Sequence, residues 1–324
     1  MRKSAIGILL LMCSCTTTLP LDIGQGERVL MLNAQWDSAD QEHLAYAGLS
    51  AQAALKPLDE ACVRCFVDGS PVALADHSIG NVSNQACFSL QADLPPGSRL
   101  RLELEQGSER AGSEIVVPVK AGEILGVDMQ RAGDRAVFKI DIRDLSPDRN
   151  YFRLRIIHKY DYLLYRRNPE GEMVLVAEEE GSVDLPLSHD SDLVFHDGKM
   201  GGSLDERFFD DAFSNRYSIF SDRLFPGETC TLTASLDANR LYSFHVGEVY
   251  DRIRVSHQAE IRLETIPLAT FDYLVALDRL ESGRAPNASL VEPAVLPSNV
   301  TGGTGFVSVS TSDTVTLDLG GLTN

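Results

Sequence analysis

Apolar and polar residues alternate one for one over long stretches of the chain, and this pattern constrains the fold more than any other feature. In the segment Arg99–Glu105, Leu100, Leu102 and Leu104 alternate with arginines and glutamates, and a similar alternation runs from Ala136 to Arg143. Successive side chains of a β-strand point to opposite faces of its sheet, so a period of two predicts strands with one buried and one solvated face. The sequence therefore predicts a mainly β fold.

Turn residues divide the predicted strands into two groups. About seven short strands within residues 27–118 predict an N-terminal β-sandwich of immunoglobulin-like or transthyretin-like type. Residues 134–324 predict a larger β-rich C-terminal domain with one amphipathic helix, Leu268–Ser282, which follows a proline and ends before a glycine. We expect Asp278 on the solvated side of this helix and the acidic run Glu178–Glu180 in a charged turn. A single large β domain is the alternative to this division.

The N-terminus carries the pattern of a secretion signal. Met1-Arg2-Lys3 is a short basic head, and the apolar run Ala5–Met12 that follows it is too short to span a bilayer as a helix. Cys15 comes directly after the small residue Ser14, an arrangement that resembles the lipobox of bacterial lipoproteins. We expect residues 1–14 to be a signal peptide, Cys15 to carry a diacylglycerol-type lipid, and residues 15–26 to form a lipidated tether. Soluble secretion with two incidental cysteines is the alternative.

The chain is strongly acidic. Its formal charge is −18, and removal of the predicted signal peptide with Arg2 and Lys3 would change the charge to −20. Such a balance opposes binding to nucleic acid and to anionic lipid head groups. Solubility is the simplest reason for this charge.

Four cysteines follow the predicted lipidation site. Cys62 and Cys65 lie in a predicted strand, and their spacing of three places them on opposite faces. In an oxidising compartment, one of the two could form a disulfide with Cys87. Cys230 would then be a buried thiol. A zinc ribbon needs a second pair of cysteines at similar spacing, which Cys87 and Cys230 do not supply.

One acidic segment offers candidate metal ligands. Calcium needs six to eight oxygen ligands, and the segment 189–211 could supply them, although it lacks the spacing of an EF-hand and also fits a solvated acidic loop. The residues considered as ligands are His189, Asp190, Asp192, Asp197, Asp205 and Asp210. Signatures of common hydrolases, such as Gly-x-Ser-x-Gly and His-Glu-x-x-His, are missing from the sequence. We expect no other cofactor.

Two further patterns bear on function. Ser38 and Thr314 lie in three-residue strings that resemble an O-glycosylation signal of Bacteroidetes envelope proteins. Five aromatic residues could line a binding face for sugar or peptide, although strand aromatics more often lie in a core. They are Tyr151, Phe152, Tyr160, Tyr162 and Tyr165.

The C-terminal half contains an ordered set of motifs, at Asn215–Asp222, Leu224–Gly227, Thr270–Leu274 and Pro297–Phe306. In this order, and together with the lipobox, they resemble the Bacteroidetes lipoproteins of domain-of-unknown-function family 4249 over nearly the whole mature chain. The resemblance implies a two-part β-rich lipoprotein of the outer envelope, in many cases encoded beside a TonB-dependent outer-membrane receptor. It carries over no catalytic or ligand-binding residue. No acidic cluster follows Cys15, so the periplasmic and the cell-surface face both stay open.

These patterns favour a non-enzymatic, lipid-anchored outer-membrane protein. We expect it to act as a binding or adhesion module, accessory to a TonB-dependent transporter, with a glycan or small-molecule ligand of unknown identity. The alternative is a metal-assisted hydrolase that uses the acidic segment 189–211.

Overall fold

The computed structural model describes residues 29–51, 54–56, 62–76, 86–189, 192–199, 214–242, 251–281 and 296–323. The predicted signal peptide, the lipidation site Cys15 and the tether lie outside these residues. Strands make up most of the part that is described, and the prediction of a mainly β fold is confirmed. None of the described helices has the length and apolar character needed to cross a bilayer.

The described residues form seventeen strands and two α-helices. The strands of the N-terminal half are Val29–Asp37 (β1), His43–Ala51 (β2), Ala54–Lys56 (β3), Cys62–Val67 (β4), Ser70–Val72 (β5), Leu74–Asp76 (β6), Ala86–Leu90 (β7), Arg99–Gln106 (β8) and Glu109–Val116 (β9). The later strands are Gly122–Ala132 (β10), Arg135–Asp144 (β11), Tyr151–Arg167 (β12), Met173–Asp184 (β13), Ile219–Ser221 (β14), Thr229–Asp237 (β15), Arg252–Ile266 (β16) and Val307–Thr323 (β17). The helices are Ala238–Tyr242 (α1) and Leu268–Glu281 (α2), with short 3-10 helices at Leu193–Lys199 and Asp222–Leu224.

One large sheet runs through the whole molecule. Its strands follow the order β13-β12-β16-β17-β1-β2-β7-β6, with β14 beside β12 and β3 beside β2. A four-stranded sheet, β5-β4-β8-β9, packs on the N-terminal part of the large sheet, and a three-stranded sheet, β10-β11-β15, packs on its C-terminal part. The molecule is therefore two sandwiches that share one sheet.

Strand β17 joins the two sandwiches. Its first residues pair with β1 in parallel, from Ala34↔Val307 to Asp37↔Ser310, and its remainder pairs with β16 in antiparallel register. Val307 and Val309 pack in the N-terminal core, whereas Val315 and Leu317 pack against the C-terminal core. These four positions have the same parity, so both cores lie on one side of the large sheet. We call this side the inner face and the opposite side the outer face.

The hairpin of β10 and β11 crosses the predicted domain boundary at residue 134. Strand β10 lies in the segment that the sequence left between the two predicted domains, and it pairs with β11 from Gly122↔Asp144 onward. Its register shifts between Ile124 and Gly126, which interrupts the alternation of apolar residues.

The segment before β17 carries the chain from helix α2 back to the N-terminal sandwich. A Cβ on Gly303 would lie 2.6 Å from the Leu30 carbonyl oxygen, so only glycine permits this close approach. The Asn299 side chain fixes the entry to β17, because it accepts a hydrogen bond from Val307 N at 2.8 Å and donates one to Val307 O at 2.6 Å.

Helix α2 packs across the outer face. The predicted helix is confirmed, and it buries Thr270, Leu274 and Asp278 along one side. The expectation that Asp278 is solvated is wrong, because its carboxylate is fully buried and accepts hydrogen bonds from Ser214 and from the backbone N–H of Arg216. The expected charged turn at Glu178–Glu180 is also wrong, since these residues belong to β13.

Candidate functional site

Partly buried ion pairs cross the outer face between β12, β16 and the end of β13. Arg155 donates from Nε to Asp184 at 2.8 Å and from Nη1 to Glu264 at 3.0 Å. Burial alone would lower the pKa of the Arg155 guanidinium, but the two carboxylates outweigh it and raise that pKa. These residues occupy outward positions of adjacent strands, so the alternation that builds the core also aligns the charges.

A second set of pairs continues toward β1. Arg262 donates from Nε to Glu260 at 2.5 Å and from Nη1 to Asp40 at 2.8 Å, and Lys159 also donates to Glu260. Burial would raise the pKa of Glu260, but the hydrogen bonds from Lys159 and Arg262 lower it below its usual value. Most charges on this face therefore have a close partner of opposite sign.

Asp37, at the end of β1, is buried among groups that contact its two carboxylate oxygens unequally. It is 3% exposed, and its Oδ1 accepts a hydrogen bond from the Ala39 N–H at 3.0 Å. Its Oδ2 makes no close hydrogen bond among the described residues, but it forms an ion pair with Arg262 Nη1 at 3.6 Å. Burial raises the pKa of Asp37, and nearby Glu264 and Asp40 raise it further, against the lowering effects of Ala39 N–H and the Ser312 hydroxyl.

Arg153 is the guanidinium with the loosest contacts on this face. Its Nη atoms lie 3.9 Å from Asp184 and 3.9 Å from Glu264, beyond hydrogen-bond distance. Its buried Nε has no hydrogen-bond partner among the described residues. The guanidinium carbon lies 5.8 Å from the ring centroid of Tyr217, which holds it by a cation–π contact.

These two side chains meet at a cavity between the ends of β1, β12, β16 and β17. The cavity measures about 60 Å³, and its lining includes Asp37, Arg153 and Glu264. Helix α2 closes one side through Thr270, whose hydroxyl lies 2.5 Å from that of Ser308. A carboxylate and a guanidinium side chain thus line one small polar space.

The cavity continues into a wider groove. The groove measures about 370 Å³ and shares Gln35, Trp36 and Asp40 with the cavity. Asn33 and the half-buried ring of Tyr46 also line it. We call the cavity and the groove together the outer-face groove; its size falls within the range of roughly 300–1,000 Å³ that is usual for small-ligand pockets.

Another depression, of about 400 Å³, lies along β8 and β9 beside Gly302. Its charged side chains pair with each other near solvent, as Glu105 does with Arg110 at 3.1 Å, where the Arg110 side chain is 78% exposed. Exposed pairs of this kind contribute little to binding or stability. The outer-face groove is therefore the stronger candidate site.

The predicted metal ligands that the structure describes have other roles. His189 is buried, with Nε2 3.1 Å from the Asn215 carbonyl oxygen and its ring stacked on Phe195. Both carboxylate oxygens of Asp192 accept backbone N–H groups, from Val194 at 3.0 Å and Thr233 at 2.6 Å. These two side chains hold loops together, and no group of three candidate metal ligands occurs among the described residues. Asp190, Asp205, Asp210 and the side chain of Asp197 lie outside them.

The four described cysteines form no disulfide. Cys62 and Cys65 do point to opposite faces of β4, since Cys62 is exposed and Cys65 is buried in the core. The predicted pairing with Cys87 is absent because Cys65 lies in the N-terminal core on the inner face, whereas Cys87 lies opposite Tyr46 on the outer face of the large sheet. Cys230 is half-buried, and burial raises the pKa of its thiol.

The remaining candidates are spread over the molecule. Thr314 is exposed on β17, whereas Ser38 is half-buried in the turn after β1, so glycosylation at either position stays a prediction. The five aromatic residues share no face, because Phe152 is in the C-terminal core and Tyr151 packs against Phe271 of α2.

Sequence reasoning did not single out the residues of the outer-face groove. Arg153 and Arg155 alternate with apolar residues, which predicts only that they occupy the polar side of a strand. A usable signal was present: outward positions of β12 carry arginines and outward positions of β16 carry glutamates, although only Arg153 lies directly opposite one, Glu264. That match predicts pairing between neighbouring strands, but it does not reveal which strand neighbours which.

No protein-family model matches the chain, and no curated protein matches it. Solved structures show weak likeness. A DUF4785 family protein from Legionella pneumophila is 10% identical, with a TM-score of 0.20, over 73% of this chain and 51% of that chain, so this chain spans about half its length. A protein from Bacteroides uniformis described as a "putative carbohydrate binding protein" is 8% identical, with a TM-score of 0.19, over 90% of this chain and 98% of that one. A β-glucuronidase from Parabacteroides merdae is 8% identical, with a TM-score of 0.19, over 72% of this chain and 23% of that chain. TM-scores this low assign neither a shared fold nor a function.

Proposed function

We propose that the mature chain is a lipid-anchored protein of the bacterial outer membrane that binds a ligand, without catalysis, through the outer-face groove. The anchor is supported by the lipobox pattern at Cys15, and the outer membrane by the resemblance to family 4249. The observation that carries the binding role is the groove itself, a polar depression of about 370 Å³ lined by Asn33, Gln35 and Tyr46.

The fixed arrangement of polar groups at this site favours ligand binding over catalysis. The surrounding charges are held in place by Arg155 and Arg262, which make two close contacts each. Fixed polar groups around a groove provide a preorganised site, which lowers the cost of association.

The metal-assisted hydrolase is the less supported alternative. It would use the segment 189–211, where His189 and Asp192 already hydrogen-bond to backbone groups. The partner that we propose is a TonB-dependent receptor, to which the groove would present or transfer its ligand. This partner rests on the resemblance to family 4249.

The anchor can be tested by metabolic labelling with a radioactive fatty acid. We expect the wild-type chain to be labelled and recovered with outer membranes, and the Cys15→Ser variant to be unlabelled. Equal labelling of both proteins would contradict lipidation at Cys15.

The binding role can be tested by photo-crosslinking in native membranes. A photoreactive residue is placed at Gln35, which is exposed in the groove, or at Lys139, which is exposed on the three-stranded sheet. We expect adducts from position 35 and none from position 139, with a TonB-dependent receptor or a small ligand identified by mass spectrometry. Equal adducts from both positions, or none from position 35, would contradict a binding role for the groove.

A further inference from the structure

We propose that the exposed edge of strand β13 is a docking surface for an extended, basic segment of a partner protein, which adds to the large sheet as one more strand. This edge shares no residue with the outer-face groove, so the inference goes beyond the proposed function and does not depend on it. It begins from the position of β13, which ends the large sheet and has β12 as its one neighbour among the described strands.

The edge of β13 has the features that allow another strand to pair with it. The strand is 12 residues long, whereas β6, at the opposite end of the sheet, has 3. It contains no proline and no lysine, which proteins commonly place on edge strands to prevent pairing. Because the backbone groups of a strand alternate in direction, those that do not pair with β12 point away from the sheet and can pair with an added strand.

The first part of β13 is apolar and exposed. Val174, Leu175 and Val176 are 43%, 41% and 49% exposed. Large apolar side chains gain free energy when a neighbouring strand covers them, and an added strand provides such neighbours as well as backbone hydrogen bonds. This part of the edge therefore favours an occupant with apolar residues beside it.

The next part of β13 is acidic. The three side chains of Glu178–Glu180 are exposed, and the ion pairs that β13 makes with β12 among the described residues involve Asp184 instead. Glu180 lies directly opposite Asp161, another exposed carboxylate, and like charges at opposite positions of neighbouring strands destabilise a sheet. Lysines or arginines on an added strand would relieve this repulsion, so the acidic run selects a basic occupant.

The same charges select against a second copy of this chain. Antiparallel pairing of β13 with β13 of another molecule, centred on Leu175, would place Glu178 opposite Glu172. Pairing centred on Glu179 would place the run Glu178–Glu180 opposite itself. Both registers bring like charges together, whereas a basic strand brings opposite charges together.

The order of the two parts determines the order of residues in the occupant. Along β13, the apolar part Met173–Ala177 precedes the acidic run Glu178–Glu180. Antiparallel pairs are slightly more stable per residue than parallel ones, so we expect the added strand to run in the opposite direction. The occupant that fits is a strand whose basic residues precede its apolar residues.

The inference is tested with a short synthetic peptide in which alternating lysine and threonine are followed by alternating valine and threonine. Its binding to the mature chain carrying Cys15→Ser is measured by fluorescence anisotropy, and hydrogen–deuterium exchange locates the site. We expect binding that weakens as sodium chloride is added, because salt screens the charges. Exchange should become slower in Met173–Asp184, where new backbone hydrogen bonds form, and should not change in the edge strand β9.

Control peptides and protein variants each change one feature. A peptide with glutamate in place of lysine should not bind, and neither should one with proline in place of threonine, since proline has no backbone N–H to donate. Reversal of two charges on the protein, by Glu178→Lys with Glu180→Lys, should weaken binding of the lysine peptide at least tenfold without lowering the melting temperature. Glu114→Lys, at an exposed position of β9, is the matched control and should have no effect.

Three results would overturn the inference. The first is failure of the lysine peptide to bind, or binding that leaves exchange in β13 unchanged. The second is equal binding of the lysine and glutamate peptides. The third is sedimentation of the mature chain as a dimer whose β13 exchanges more slowly than that of the monomer, which would assign the edge to a second copy.

Discussion

The two faces of the large sheet are made by the same strands but are buried by different means. On the inner face, Ile261 and Leu263 of β16 are fully buried against the three-stranded sheet. On the outer face, Glu260 and Glu264 of the same strand are almost as deeply buried, yet each needs a cation beside it. Apolar side chains gain free energy from burial alone, whereas charged ones lose it unless they are paired.

This difference between the faces determines where a binding site can arise. A close-packed apolar face leaves no space for a ligand. The outer face keeps a polar space beside Asp37 and Arg153, whose ion pairs are longer than those of its other charges.

The largest effect is expected on the inner face. Leu263→Ala should lower the free energy of unfolding by about 2–5 kcal/mol, because it removes apolar contacts and leaves a cavity. Leu263 is fully buried, and a Cβ on Gly122 would lie only 2.8 Å from its Cδ2, so this site is tightly packed. Urea denaturation measures the change. Leu268→Ala, at a helix position that is 51% exposed, is the matched control and should change little.

A polar exception on the inner face should make stability depend on pH. His158 and His257 are buried and stacked, with Nε2 of His158 2.9 Å from Nδ1 of His257. Burial, and the neighbouring His257, lower the pKa of His158 to about 4, and burial lowers the pKa of His257. The unfolded chain therefore binds more protons between pH 6.5 and 4, so this contribution is complete above pH 6.5 and is lost as the pH falls.

We expect the His158 contribution to fall by about 2–3 kcal/mol between pH 6.5 and pH 4. Urea denaturation at several pH values, for the wild type and for His158→Asn, isolates it from the carboxylates. The variant should show a shallower loss of stability on acidification. Parallel curves for the two proteins would show that the histidine pair does not titrate in this way.

A smaller effect is expected from the charges of the outer face. Glu264→Gln removes the carboxylate that Arg155 contacts at 3.0 Å, in a pair whose side chains are 4% and 24% exposed. The loss should be about 1–3 kcal/mol, since one partner keeps some access to water. Glu114→Gln is the control, because its pair with Arg99 is mostly exposed and should contribute less than about 1 kcal/mol. Equal losses in the two variants would mean that the outer-face pairs are no more important than surface ones.

The sequence predicted the elements in which apolar residues recur at regular spacing. It did not predict segments whose two faces are equally exposed. Helix α2 and strand β8 follow from their apolar spacing. In strand β13, Met173–Ala177 are predicted but Glu178–Glu180 are not, because both faces of this edge strand are largely exposed and its residues need not alternate with apolar ones. The runs Phe306–Val309 and Val315–Leu319 predict two short strands, whereas the structure has one, β17. Its polar middle is accommodated because Thr311 and Asp313 pair with β16.

The candidate site was beyond the reach of the sequence for a different reason. Asp37 and Arg153 are 116 positions apart in the numbering and meet only because β17 brings β1 beside the C-terminal sandwich. Asp278 shows the same limit, since the segment Ser214–Arg216 that buries it comes from a distant part of the chain. Local periodicity predicts which side of a strand a residue occupies, but not what covers that side.

The most direct test of the central claim, that the outer-face groove binds a ligand, is photo-crosslinking in native membranes from Gln35, which lines the groove, and from Lys139, which does not. Binding through the groove predicts adducts from position 35 and none from position 139. Equal adducts from both positions, or none from position 35, would contradict it.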